Sequence, residues 1–149
     1  MITYRQITTA DREYEAEKVL RNRVLRAPLG LTLSETDVRG EEQQIHVVAV
    51  DERGEVVGCV LIAPAADGTA RIRQMAVEED FRGKGIGAGL MAQAETITRA
   101  LPARKLTMHA RLTARRFYER LGYRVTSEPF MEVTIPHVAM EKTLNPEKP

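Results

Sequence analysis

The stretch that most constrains the fold of this chain is Arg71–Met91, RIRQMAVEEDFRGKGIGAGLM, where a strand-like segment passes through an acidic turn into a glycine-dense loop. From its last residues onward, Ile86, Leu90, Met91, Ala94, Ile97 and Leu101 follow an apolar pattern of helical period, which predicts a helix. Gly83, Gly85 and Gly87 alternate at its start, and each disfavours helix by roughly 1 kcal/mol against alanine. Glycines in such a place predict a backbone that approaches something closely. A strand feeding a glycine loop at a helix N-terminus presents unpaired N–H groups and the positive end of the helix dipole. That arrangement binds anions, most often phosphate.

The remaining chain limits what the phosphate can belong to. With 149 residues, 43% hydrophobic and 29% charged, it reads as a single globular domain over residues 1–144, followed by a tail at 145–149 expected to fray. A formal net charge of +1 supplies no bulk attraction to nucleic acid or to an anionic membrane. The single cysteine, Cys59, lies in the apolar run Val56–Ile62 and reads as a buried small hydrophobe rather than a nucleophile. Lacking a disulfide framework, a signal-like apolar core after Met1 or a run long enough to cross a bilayer, the chain is expected in the cytoplasm.

In chain order, a short strand at Ile2–Ile7 is followed by helix-cap candidates Thr8, Thr9 and Asp11. An amphipathic helix runs to about Arg26 with Ala16, Val19, Leu20 and Val24 on its apolar side, stopped by Pro28 and Gly30. Leu29–Glu42 reads as a loop or a short second helix. Ile45–Val50 and Glu55–Ala63 form a hairpin around Asp51–Gly54, and Thr69–Val77 adds a third strand. After the long helix come a strand at Lys105–His109, a helix at Thr113–Leu121 ended by Gly122, and strands at Tyr123–Val125 and Val133–Lys142. Pro136 confines the last strand to an edge, or itself to that strand's first residues. The expected architecture is α/β (α+β), a central mixed and mostly antiparallel sheet flanked by helices.

Two nucleotide motifs fit the loop poorly. Gly83-Lys84 is followed by Gly85, so the Walker A hydroxyl for Mg²⁺ is missing. A dinucleotide fingerprint, Gly83-x-Gly85-x-x-Ala88, would come after a meander and lacks a ribose-binding acid about twenty residues on, which speaks against a nicotinamide-dependent oxidoreductase.

Arg82-x-x-Gly85-x-Gly87/Ala88, with Met75-Ala76-Val77 before it, resembles the pyrophosphate loop and central strand of the GNAT superfamily of acyl-CoA-dependent N-acyltransferases. Ala114–Tyr123, ARRFYERLGY, resembles that family's second signature, in family order and spacing. Leu20-Arg21-x-Arg23-Val24-Leu25, His109-Ala110-Arg111 and Glu132-x-x-Ile135-Pro136-His137-x-x-Met140 are similar to the ElaA-type bacterial branch. Arg111 stands where that branch commonly has Gln, and Ala27-Pro28 where it has Glu-Gln.

The resemblance implies the GNAT fold and an acyltransferase of the EC 2.3.1 type. Its reaction moves an acetyl group from acetyl-CoA to a primary amine by direct attack in a ternary complex, without a metal. The alternative is an acyl-CoA-binding module without turnover. Backbone N–H groups of Arg82, Gly83, Lys84, Gly85, Ile86, Gly87 and Ala88 would hold the pyrophosphate. Met75, Ala76 and Val77 would pair with the pantetheine, and Arg111 and Phe117 would lie beside it. Tyr118 would protonate the leaving thiolate. The general base stays open between His137, Glu132 and a water chain. The arginines at 111–124 read mostly as a solvated face, with Arg116 and Arg120 open, and Arg23 and Arg26 would lie near an acceptor cleft. A homodimer is a habit of the family. Peptide N-terminus, lysine, polyamine, aminoglycoside and small metabolite all stay open as acceptor.

Overall fold

The computed structural model describes residues 1–144; the tail at 145–149 lies outside them. Its strands are β1 (Thr3–Ile7), β2 (Ile45–Val50), β3 (Val56–Pro64), β4 (Thr69–Val77), β5 (Lys105–Arg111), β6 (Arg124–Val125), β7 (Phe130–Glu132) and β8 (Ile135–Thr143). The α-helices are α1 (Glu13–Arg21), α2 (Glu35–Val38), α3 (Ile86–Arg99) and α4 (Arg115–Arg120). The strands form one sheet in the order β1-β2-β3-β4-β5-β8-β6, with β7 also on β8. β4 and β5 run parallel, while β1–β2, β2–β3, β5–β8, β6–β8 and β7–β8 are antiparallel. The mixed, mostly antiparallel sheet is the one expected. The described residues divide into two compact units, Met1–Ala63 with Gln74–Ala94, and Pro64–Arg73 with residues 95–144.

In the first unit β2 and β3 are covered on both faces, which is why β2 reads as an apolar run rather than an alternation. Val48 lies opposite Cys59, and both join Ile7, Leu20, Val50 and Ala76 in one core. Ala49 lies opposite Gly58 on the other face, where Ile86 and Leu90 of α3 come within 3.1 Å of the position a Cβ on Gly58 would take.

The first helix departs from its expected form. α1 ends at Arg21, widens through a π-helical turn over Asn22–Arg26, tightens into a 3₁₀ turn at Ala27–Leu29, and closes at Gly30 with φ 73. Ala16 and Val19 face solvent, and the buried residues of α1 are Glu17, Leu20 and Arg21. No side chain caps α1; Asp11 instead accepts the Thr8 N–H at 2.7 Å, closing the preceding turn. Leu29–Glu42 contains the one-turn α2, started by a capping box of Ser34 and Asp37.

In the second unit β5 pairs with β8 along its whole length, from Lys105 opposite Thr143 to Arg111 opposite His137. Leu106, Met108, Ala110, Val138 and Met140 are buried on one face; His109, Arg111 and His137 belong to the other. The last strand begins at Ile135 rather than Val133, because Val133 (φ 42) and Thr134 (φ 69) form the tight turn from β7 to β8. Such turns favour Asn-Gly, so nothing in Val-Thr announces one. Pro136 sits near the start of β8, beyond the β5 ladder and opposite Met131, where its missing N–H is harmless.

Candidate active site

β4 delivers Met75, Ala76 and Val77 to a single 3₁₀ turn at Glu79–Phe81, and Arg82 then leads extended into the glycine loop. Gly83 (φ 77) and Gly85 (φ 81) are left-handed, which glycine adopts without the Cβ penalty. Nothing lies within 4 Å of where their Cβ atoms would be, so backbone shape, not crowding, requires glycine there, and the loop leaves space for a ligand. Gly87 is inside α3. The glycine demanded by close packing is Gly89, where a Cβ would stand 1.9 Å from the Tyr4 hydroxyl.

Gly89 N–H bonds Gly85 O at 2.9 Å, so the preceding amides lie in the first turn, where a helix leaves its N–H groups without intrahelical partners. The Arg82 Nε donates to Val77 O at 3.4 Å, and Lys84 Nζ lies 5.1 Å from the Phe81 ring centroid. Arg23 donates to both Glu78 carboxylate oxygens, at 3.2 and 2.5 Å. Arg26 is buried and paired with Asp37 at 3.1 Å, so it braces α2.

Behind β4 lies a buried charge cluster that the sequence reading missed. Arg21 donates through Nη1 to Glu17 (3.0 Å) and Glu41 (2.8 Å), and through Nη2 to Glu41. His46 approaches Glu17 with Nδ1 at 3.0 Å and the Glu41 carbonyl with Nε2 at 2.8 Å. Both ring nitrogens face acceptors, an arrangement that favours the imidazolium over the neutral ring. Burial disfavours that charge, but the bonds to Glu17 and Glu41 outweigh it and raise the His46 pKa. Two cations thus balance two carboxylates. Glu17, Glu41 and His46 offer ligand atoms within 4.8 Å of one another, and the Arg21 guanidinium already occupies the cation's role. Burial pushes the Cys59 thiol up, and its Sγ bonds Gln74 O at 3.3 Å, which fits a structural cysteine. The available signal was a histidine inside the strand Ile45–Val50, together with the Glu17/Arg21 pair flanking Leu20.

In the second unit the expected site residues form two groups. Tyr118 is buried beside Phe117 (ring centroids 4.9 Å apart) and Tyr123 (6.0 Å), and burial pushes its phenol up to about 12. Tyr123 bonds Glu95 at 3.0 Å, and Lys142 does so at the same distance, which sets this group on the Val138–Met140–Lys142 face. On the opposite face His137 is 4% exposed, its Nδ1 donates to Ile135 O at 2.9 Å, and its Nε2 points toward Glu132 at 3.8 Å. Glu132 also meets His109 at 2.9 Å, whose same nitrogen is 3.0 Å from Arg71. Tyr118 and His137 are therefore not neighbours on one face. Arg111 ends β5 opposite His137. Of the arginine run, Arg115 pairs with Glu119 and Arg124 with Glu141, as a solvated face does. Arg116 and Arg120 are exposed.

Residues 11–144 match the family model of the acetyltransferase (GNAT) domain. A candidate acetyltransferase of Bacillus subtilis (strain 168) is 34% identical over 74 residues, half of each chain. The aligned stretch spans about half the length of the first curated relatives it matches. Among solved structures, a candidate N-acetyltransferase from Lactobacillus plantarum is 28% identical with a TM-score of 0.86, over 97% of this chain and 99% of that one. Escherichia coli ElaA shares the fold at 22% identity and a TM-score of 0.80, over 95% of this chain and 99% of that one. An aminoglycoside 6'-N-acetyltransferase complexed with coenzyme A shares it at 17% identity and 0.74, over 99% of both. With a family model spanning nearly all of its described residues, and with the glycine loop and Phe117-Tyr118 helix in place, this chain belongs to the GNAT acetyltransferase family.

Proposed function

We propose that the protein transfers an acetyl group from acetyl-CoA to a primary amine by direct attack in a ternary complex. The observation that carries this reading is the left-handed pair Gly83 and Gly85, which opens the first turn of α3 directly behind Met75–Val77. In this reading the amides from Arg82 to Ala88 bind the pyrophosphate, and the Arg82 and Lys84 side chains add charge. The backbone of Met75–Val77 pairs with the pantetheine as an added strand, and Arg111 and Phe117 keep the cofactor-contact roles that the family resemblance gives them. The aminoglycoside acetyltransferase that shares the fold was solved with coenzyme A, which supports the same cofactor here.

Acyl transfer forms a C–N bond and breaks a C–S bond; the nitrogen loses a proton and the sulfur gains one. The two proton sites are separate groups in this reading. Tyr118 donates toward the departing sulfur. Its phenol, raised to about 12, stays protonated and lies well above a free thiol at about 8.5, so it steadies the departing thiolate by a hydrogen bond, and the sulfur takes its proton from solvent. His137 Nε2 takes the amine's proton: its Nδ1 is committed to Ile135, and Glu132 stands beside Nε2.

The test is thiol release from acetyl-CoA in the presence of a panel of amines: a peptide N-terminus, lysine, a polyamine, an aminoglycoside and small amines. Amine-dependent release is expected. CoA binding with no turnover on any amine would mark a binding module instead, and NAD(P)H binding in place of CoA would mark an oxidoreductase.

A further inference from the structure

We infer that Arg21, acting through Gln74, is a positioning residue for acyl transfer: it holds the left-handed step in β4 that sets the backbone of Met75–Val77. The inference rests on the CoA reading above.

Gln74 lies within β4 at φ 54, a conformation uncommon for glutamine, and one that survives only where the surroundings over-determine it. Two contacts do so. Arg21 Nε donates to Gln74 Oε1 at 3.2 Å, and Cys59 Sγ donates to Gln74 O at 3.3 Å. A left-handed residue inside a strand breaks the alternation of side chains and re-aims the amides that follow. The three residues that follow are Met75, Ala76 and Val77. Pairing of β4 with β5 covers Thr69–Arg71, and Gln74 comes three residues further on. The step thus stands between the part of β4 that is paired to β5 and the part assigned to the cofactor.

The buried cluster explains why Arg21 is able to act as an anchor. Arg21, Glu17 and His46 are 0% exposed and Glu41 is 1% exposed. The guanidinium is held on two sides by Glu17 and Glu41, and those acids are held by His46 and by the Tyr14 hydroxyl at 2.9 Å. Arg21 cannot shift without unpairing a buried carboxylate. A buried ion network is weak ground for stability, because apolar residues of similar volume serve as well or better. What apolar residues could not supply is one rigidly aimed N–H. In this structure that N–H is Nε, and it points at Gln74.

The experiment uses Gln74→Met, which keeps side-chain length and removes the acceptor, and Gln74→Glu, which restores an acceptor for Arg21. Amide hydrogen exchange at Ala76 and Val77 is measured in the ligand-free protein, alongside kcat and KM for acetyl-CoA. In Gln74→Met, exchange at these amides is expected to accelerate about tenfold, with the β2 amides unchanged. The kcat should fall about 10- to 100-fold, while KM for acetyl-CoA moves less than about threefold. Gln74→Glu should recover most of both effects. Wild-type exchange and kcat in Gln74→Met, or equal losses in the Met and Glu variants, would overturn the inference. Should Gln74→Met fail to fold, Arg21→Lys keeps a cation facing Glu17 and Glu41 but removes the Nε donor to Gln74; the same faster exchange and lower kcat are expected, and wild-type values in it would overturn the inference. The exchange measurement needs no cofactor, so it decides the inference even if the wild-type protein transfers no acetyl group.

Discussion

At the scale of the residue, Tyr118 combines a legible identity with an illegible environment. Its place beside Phe117 on a helix was readable; that burial lifts its phenol to about 12 was not, because only packing removes water from the hydroxyl. Tyr118→Phe is expected to lower kcat about 100-fold in the thiol-release assay while CoA affinity, followed by calorimetric titration, stays within about threefold. An unchanged kcat would remove the phenol from the chemistry. The glycines differ in the same way. Gly83 and Gly85 were readable as special, and both are left-handed. Gly89 was not, since its requirement comes from Tyr4, eighty-five residues away in the chain. Gly85→Ala should cost about 1–2 kcal/mol in urea denaturation, from the left-handed backbone alone, and weaken CoA binding in titration. Gly89→Ala should destabilise through the clash with Tyr4 without directly touching the loop.

At the scale of the element, α1 shows how a pattern misleads. Its apolar residues at helical spacing announced a helix, and the helix is there. The face was misassigned because Glu17 and Arg21, four residues apart, look like an exposed ion pair when no partner is in view. Glu41 and His46, which turn that pair into a buried one, come from Glu41–Gln43 and β2. Arg21→Met would leave His46 as the sole cation for two buried carboxylates and should lose about 3–5 kcal/mol in urea denaturation. Replacing Glu17, Arg21 and Glu41 together by apolar residues of similar volume should recover much of that loss. If the single variant is as stable as the wild type, the cluster is not closed as described.

For the whole molecule, the shifted groups define a pH window. His46 has a raised pKa, so its contribution is complete below its ordinary value of 6.5 and is lost as pH rises through the folded value. Glu17, Glu41, Arg21 and Tyr14 are the charged and titratable groups around it. Asp37 is shifted the other way: burial raises its pKa, but Arg26 and Ser34 outweigh this and lower it. Its contribution is complete above 3.8 and is lost as pH falls through the folded value. Stability should therefore peak between about 4 and 6.5 and decline on both sides, read as urea midpoints across pH. His46→Gln should flatten the alkaline decline; an unchanged slope in that variant would place the titration elsewhere.

The sequence by itself determined most of the order of elements, though not α2 or β7, together with the hairpin at Asp51–Gly54, the glycine loop at the start of α3, and the family to which these belong. All of that rests on local chemistry: left-handed glycines, periodic apolar residues, and turn residues that act within a few positions of themselves. Tertiary structure alone decided that Glu17, Arg21, Glu41 and His46 share one buried site, that Gln74 is left-handed, and that Tyr118 and His137 stand on opposite faces of β8. Those outcomes depend on which distant residues meet. A charge or a backbone angle takes its meaning from that partner, and spacing along the chain does not record it.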